Sequence, residues 1–174
     1  MNGGLESTCL YGRKEIVEFL ISKGADDLNR GLYGACMEGR HIEIVELLIS
    51  KGADDLNRGL YVACEDNHIE IVDLLISKGA DDLNSGLYKA CCYNRKNSYN
   101  HKKIVNLLIS KGADDLNRGL YGACLYGHKE IVELLISKGA DDLNRGLEIA
   151  CRNGHKEIVN LLISKGGHKS IVDL

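Results

Sequence analysis

The chain of 174 residues contains no proline, no run of about 18 apolar residues and no dominant charge. The missing apolar run excludes a membrane-spanning helix. Its 22 basic and 25 acidic residues leave a net charge of −3, which asks for neither nucleic acid nor a membrane surface. The N-terminus lacks a basic segment followed by an apolar one, so no cleaved secretion signal is expected. These absences leave a soluble intracellular protein as the simplest expectation, and the chain is long enough for one domain with a real core.

What the chain has is repetition. Residues 112–138 (GADDLNRGLYGACLYGHKEIVELLISK) recur at 139–165 with five changes, Tyr121/Glu148, Gly122/Ile149, Leu125/Arg152, Tyr126/Asn153 and Glu133/Asn160. The same unit occupies 24–51, 52–78 and 79–111, with a start lacking the GADD segment at 1–23 and a partial copy at 166–174. A period this short means a stack of equivalent supersecondary units, each touching its neighbours. Positions constant among the copies build the stack, and positions that vary are free to specialise.

Cys9, Cys36, Cys64, Cys91, Cys124 and Cys151 occupy one slot per unit, with Cys92 as the seventh cysteine. Packed helices lie roughly 8–10 Å apart, whereas a disulfide needs Cα atoms within about 7 Å. Reduced thiols buried as small apolar groups are therefore expected, with Cys92 the most accessible of them.

Each unit carries two helix signatures. The first is expected to open at Asn29, Asn57, Asn84, Asn117 or Asn144 as N-cap. Leu32, Ala35 and Cys36 then form a narrow apolar stripe. The helix closes at Gly12, Gly39, Asn67, Asn94, Gly127 or Gly154, the two residue types that tolerate a left-handed backbone. In the second helix Ile44, Val45, Leu47, Leu48 and Ile49 cover more than half the circumference, so cover is needed on several sides. Gly52 supplies its C-terminal left-handed residue.

The string Ala-Cys-x-x-Gly-His-x-Glu-Ile-Val-x-Leu-Leu-Ile-x-x-Gly-Ala-Asp resembles the ankyrin repeat over essentially the whole chain. Two features depart from that family. Arg-Gly-Leu-Tyr replaces the family's Thr-Pro-Leu-His, in keeping with the absence of proline, and the period is 27–28 residues against about 33. The residues missing fall where the family builds its β-hairpin finger, and six linker residues cannot hold two strands and a turn. The expected fold is an all-α, ankyrin-like solenoid of six helix–turn–helix repeats with little or no β-hairpin, forming a single domain over 1–174. The resemblance, to short repeats of the kind found in protists and large DNA viruses, implies a eukaryotic cytoplasm, the cell's own or a host's, with the nucleus as the alternative.

The resemblance also implies that the last-turn positions of the first helix face a concave, partner-binding surface. Here they vary most: Leu10/Tyr11, Met37/Glu38, Glu65/Asp66, Cys92/Tyr93, Leu125/Tyr126 and Arg152/Asn153. The candidate contact residues are Tyr11, Met37, Glu38, Glu65, Asp66, Lys89, Cys92, Tyr93, Leu125, Tyr126, Arg152 and Asn153. They form a ladder acidic at first, then aromatic and apolar, then basic. Neutral drift at unconstrained positions is the competing reading. An insertion, Arg95 to Asn100, interrupts the fourth unit as a loop and gives a second candidate contact at Arg95, Lys96, Tyr99, Lys102 and Lys103. A solvated loop with no partner competes with it.

Three further patterns read as structure. Tyr33, Tyr61, Tyr88 and Tyr121 form a row with Glu6 and Glu148 at its ends, as capping of outward-facing units requires. Arg30, Arg58, Arg118 and Arg145 are expected to pair with the Asp-Asp linkers along the edge. Cys-x3-His recurs at Cys64/His68, Cys124/His128 and Cys151/His155, but each cysteine lies on a helix stripe and each histidine opens the next helix. Four converging ligands, as zinc needs, are not supplied. No nucleophile–base pair, paired carboxylates or phosphate-binding loop stands outside the repeat. The expectation is a protein-binding module with no enzymatic activity, cofactor or metal; the alternative is a structural segment that stacks end to end on itself.

Overall fold

The computed structural model describes residues 2–92 and 98–168. Twelve helices and no strand are present among them, so the all-α expectation holds. The chain separates into two compact units, Met1–Asp82 and Leu83–Leu174. The first contains α1 (Asn2–Leu10), α2 (Lys14–Ser22), α3 (Leu28–Glu38), α4 (Ile42–Ser50), α5 (Leu56–Asp66) and α6 (Ile69–Ser77). The second contains α7 (Leu83–Cys92), α8 (Ser98–Ser110), α9 (Leu116–Tyr126), α10 (Lys129–Ser137), α11 (Leu143–Arg152) and α12 (Lys156–Ser164). Odd-numbered helices are the first of each repeat and even-numbered the second. In each unit the first helices pack closely on one another, while the second helices touch their counterparts sparingly.

The core is the stripe the repeat dictates. Leu32, Ala35, Cys36, Ile44, Val45 and Leu48 are fully buried, as are their copies in the following repeat Leu60, Ala63, Cys64, Val72 and Leu75. Second helices end alike. Gly52 adopts φ +108°, and the Ala53 N–H donates to the Leu48 carbonyl at 3.0 Å, the six-to-one bond that closes an α-helix. Buried Ala53 completes the stop. The first helices close at Gly12, Gly39, Asn67, Gly127 and Gly154 with φ between 69° and 81°, as expected from the sequence; Asn94 lies outside the described residues.

The N-cap expectation is overturned. The first helices begin at the leucine before the asparagine, and the side chains of Asp27, Asp115 and Asp142 accept the backbone N–H of Arg30, Arg118 and Arg145. The asparagine, one residue inside the helix, points along the stack. Asn29 Oδ1 accepts the N–H groups of Asp54 and Asp55 at 2.9 and 3.0 Å, while its Nδ2 donates to Asp54 Oδ1 at 2.8 Å. Asn57, Asn84 and Asn117 repeat this three-bond clamp on the next Asp-Asp linker. Orphan linker amides are thereby satisfied by the neighbouring repeat.

The expected loop at 95–100 is corrected in its second half, residues 95–97 lying outside the described residues. α8 starts at Ser98, so residues 98–100 extend a helix by one turn and are not a loop. His101 therefore lies inside the helix and is 3 % exposed, whereas His41, His68, His128 and His155 stand at N-caps and are half-buried.

Candidate functional site

The seam between repeats accounts for most constant polar residues. His68 places Nε2 3.0 Å from the Met37 carbonyl, and His155 places it 3.0 Å from that of Leu125. These carbonyls belong to the last turn of the preceding first helix, which has no intrahelical donor for them. The glycine before each turn serves twice. A Cβ on Gly39 would lie 1.9 Å from His68 Cγ, and its φ is +71°, so both the backbone and the ring it seats demand glycine. His68, His128 and His155 thus reach back to the previous repeat, while Cys36 and Cys124 rest against Gly59 and Gly146 of the next, so Cys124 and His128 turn to opposite neighbours. Among the described residues no three metal-ligand side chains converge.

The arginine row turns to the tyrosine ladder, a correction to the expected pairing with aspartates. The Arg58 guanidinium lies 4.7 Å from the Tyr33 ring centre, and Arg118 lies 4.9 Å from that of Tyr88. At Glu6 the same contact becomes an ion pair with Arg30, whereas Arg145 pairs with Glu148 of its own helix at 2.9 Å. The side chains of Asp54, Asp81, Asp114 and Asp141 are engaged by asparagine clamps and those of Asp27, Asp115 and Asp142 by caps. Tyr121 donates its hydroxyl to Asp142, which, with burial, pushes its pKa up to about 12.

The cysteines are buried except Cys151, which is half-exposed. Burial pushes the thiols of Cys9, Cys36 and Cys124 up to about 12 and that of Cys64 higher still. Cys92, expected to be the most accessible, is only 7 % exposed. It fills the place a side chain at position 122 would take, because a Cβ on Gly122 would meet Cys92 Sγ at 2.7 Å. The Tyr88 pKa is raised first by its hydrogen bond with Cys92. The Cys92/Gly122 variation is thus a matched inter-repeat pair, a signal readable only once the two slots are known to face each other.

The remaining ladder residues divide between the units. In the first, Tyr11 is 71 % exposed, while Met37, Glu38, Glu65 and Asp66 are half-buried, and Glu38 lies 3.5 Å from Arg40. In the second, Tyr126 is 54 % and Leu125 37 % exposed, Arg152 and Asn153 are exposed, and Lys89 is half-buried. The Tyr126 ring stacks on His128 with centroids 6.4 Å apart and planes 13° apart. Burial lowers the His128 pKa, against its contact with the Cys92 carbonyl, which raises it. Arg152 is held by Glu148 at 2.6 Å. Tyr93, Arg95, Lys96 and the Tyr99 side chain lie outside the described residues; Lys103 is exposed and Lys102 half-buried, both on α8.

Stacked helix pairs joined by Gly-His turns are the architecture of ankyrin repeats. The family model for ankyrin repeats (3 copies) matches residues 32–118 and 97–173, and the chain belongs to this family. No curated protein matches the chain. Ankyrin repeats are generally protein-interaction modules, typically without enzymatic activity. No described helix is long and apolar enough to cross a membrane.

Proposed function

We propose that the chain binds another protein through the ladder after each Ala-Cys pair, with the second unit's Leu125 and Tyr126 as anchors and Arg152 at the rim. The observation that carries this is the exposure of Tyr126 beside exposed Leu125. Stacking on His128 orients the Tyr126 ring before any partner arrives, which lowers the ordering cost of binding. Tyrosine is enriched among residues whose truncation costs about 2 kcal/mol or more at interfaces. Arg152, already paired with Glu148, contributes charge that sets orientation and association rate more than affinity.

The test is affinity capture from eukaryotic cytosol with the wild-type chain and a Leu125→Ala, Tyr126→Ala variant. A partner held by the former and lost by the latter, at unchanged melting temperature, supports the assignment. Full capture by the double variant, with loss on Lys102→Glu and Lys103→Glu, would move the site to the first turns of α8.

A further inference from the structure

We infer that the partner is an acidic protein segment with a bulky apolar residue among its carboxylates, seated on Leu125 and Tyr126; the inference rests on the assignment of those two residues as anchors. Two turns bring cations to them. The Tyr126 ring stacks on His128, whose neighbour Lys129 begins α10. From the following repeat His155 brings Nε2 to 3.0 Å from the Leu125 carbonyl, so the turn that leads into Lys156 rests against the end of α9. Arg152 takes the slot of Leu125 one repeat along. Arg152 and Lys156 are exposed and Lys129 is half-buried.

The helices themselves do not call for these lysines. A cation at the first position of a helix opposes its dipole, yet Lys129 and Lys156 both stand there. Lys129 gains a pair with Glu157 at 3.3 Å across the seam, a contact of modest energy because it is exposed. In all three second helices of this unit a lysine follows the histidine, at Lys102, Lys129 and Lys156.

The two units differ in sign. The first unit's ladder slots hold Glu38, Glu65 and Asp66, and Met1–Asp82 has 8 basic and 16 acidic residues, a balance of −8. The second unit's ladder slots hold no acid, and Leu83–Leu174 has 14 basic and 9 acidic residues, a balance of +5. An acidic segment is thus attracted to the second unit and repelled by the first. Exposed Leu125 and Tyr126 add an apolar seat that a purely electrostatic partner would not use. Exposed Glu130 and Glu157 and half-buried Glu148 break the cationic surface into separate points. A nucleic-acid backbone, charged at every step, would meet those carboxylates, whereas a peptide can space its own acids between them.

Selection from a random dodecapeptide display library on the immobilised full chain tests this. The wild type should enrich peptides with a large apolar residue flanked by Asp or Glu. In a titration with one such labelled peptide, Lys156→Glu should weaken binding by about threefold, and Lys129→Glu with Lys156→Glu by about tenfold, at unchanged melting temperature. Lys156→Glu is measured alone because Lys129→Glu also removes the seam pair with Glu157. Raised salt should weaken wild-type binding in parallel. Enrichment of apolar peptides without acids, lost on Leu125→Ala with Tyr126→Ala, would overturn the acidic preference and leave the anchors in place. Acidic peptides held equally by that double variant would remove the anchors, and the inference with them. It is also overturned by no enrichment on the wild type, or by displacement of the peptide by single-stranded poly(U) RNA as readily as by unlabelled peptide.

Discussion

Cys36 Sγ sits 3.2 Å from the point where a β-carbon on Gly59 would be, so the thiol of one first helix rests on the bare backbone of the next. A glycine inside a helix costs about 1 kcal/mol relative to alanine, and close packing is what this one provides. Gly59→Ala would push against Cys36 and against Leu75 Cδ1 at 3.4 Å. Overpacking costs about 1–3 kcal/mol, so the variant should lose about 1 kcal/mol net in urea unfolding. In a Cys36→Ala background the same change should become neutral or stabilising. A constant effect in both backgrounds would show that the thiol is not what the glycine accommodates.

Asn57 joins its repeat to the next through the Asp81 and Asp82 amides and the Asp81 carboxylate, the last at 2.8 Å. Asn57→Asp keeps the acceptor but sets two carboxylates against each other, and should destabilise by about 1–2 kcal/mol. Adding Asp81→Asn returns a donor to the pair and should recover most of that loss. Chemical denaturation of the two single variants and the double variant measures the coupling directly.

The second helices, the Gly-His turns and the buried cysteine slot were legible because apolar periodicity and left-handed closure are local. The roles of Asn29, Arg58 and Gly59 were not, because their partners lie in another repeat. Asn29 is a good N-cap residue by type, but Asp27 lies one residue before the helix and caps it. Arg58 follows Asp54 and Asp55 in sequence, yet it stacks on Tyr33. The mid-helix glycine was visible as a constant exception to helix propensity, and that exception was the available signal for close packing. Of the candidate site, the ladder positions were legible and their burial was not: Cys92 and Tyr126 stand in successive copies of adjoining slots, and only the fold separates a seam residue from a surface one.

Thiol labelling separates these environments. Cys151, half-exposed, should react with a maleimide well before Cys36, Cys64, Cys92 and Cys124 in the folded chain, because these four are buried and burial also raises the pKa of Cys36, Cys64 and Cys124. Peptide mass mapping of a labelling time course identifies the order. Reaction of Cys92 ahead of Cys151 would mean that its seat on Gly122 is not occupied in solution.

His128 makes the seam sensitive to acid. Its imidazole is desolvated between Tyr126 and the Cys92 carbonyl, so its pKa in the folded chain lies below the ordinary value of 6.5. As pH falls through 6.5 the unfolded chain takes up a proton that the folded chain resists, and stability is lost. The contribution is complete above 6.5 and declines as pH drops toward the folded pKa. The melting temperature should therefore fall between pH 7.5 and 5.5, and His128→Asn should flatten that fall while lowering stability at pH 7.5. Equal slopes for the two chains would assign the acid sensitivity to carboxylates elsewhere. A flatter slope for the variant would place a titrating group directly beneath Tyr126, so that the anchor proposed for a partner loosens under acidic conditions.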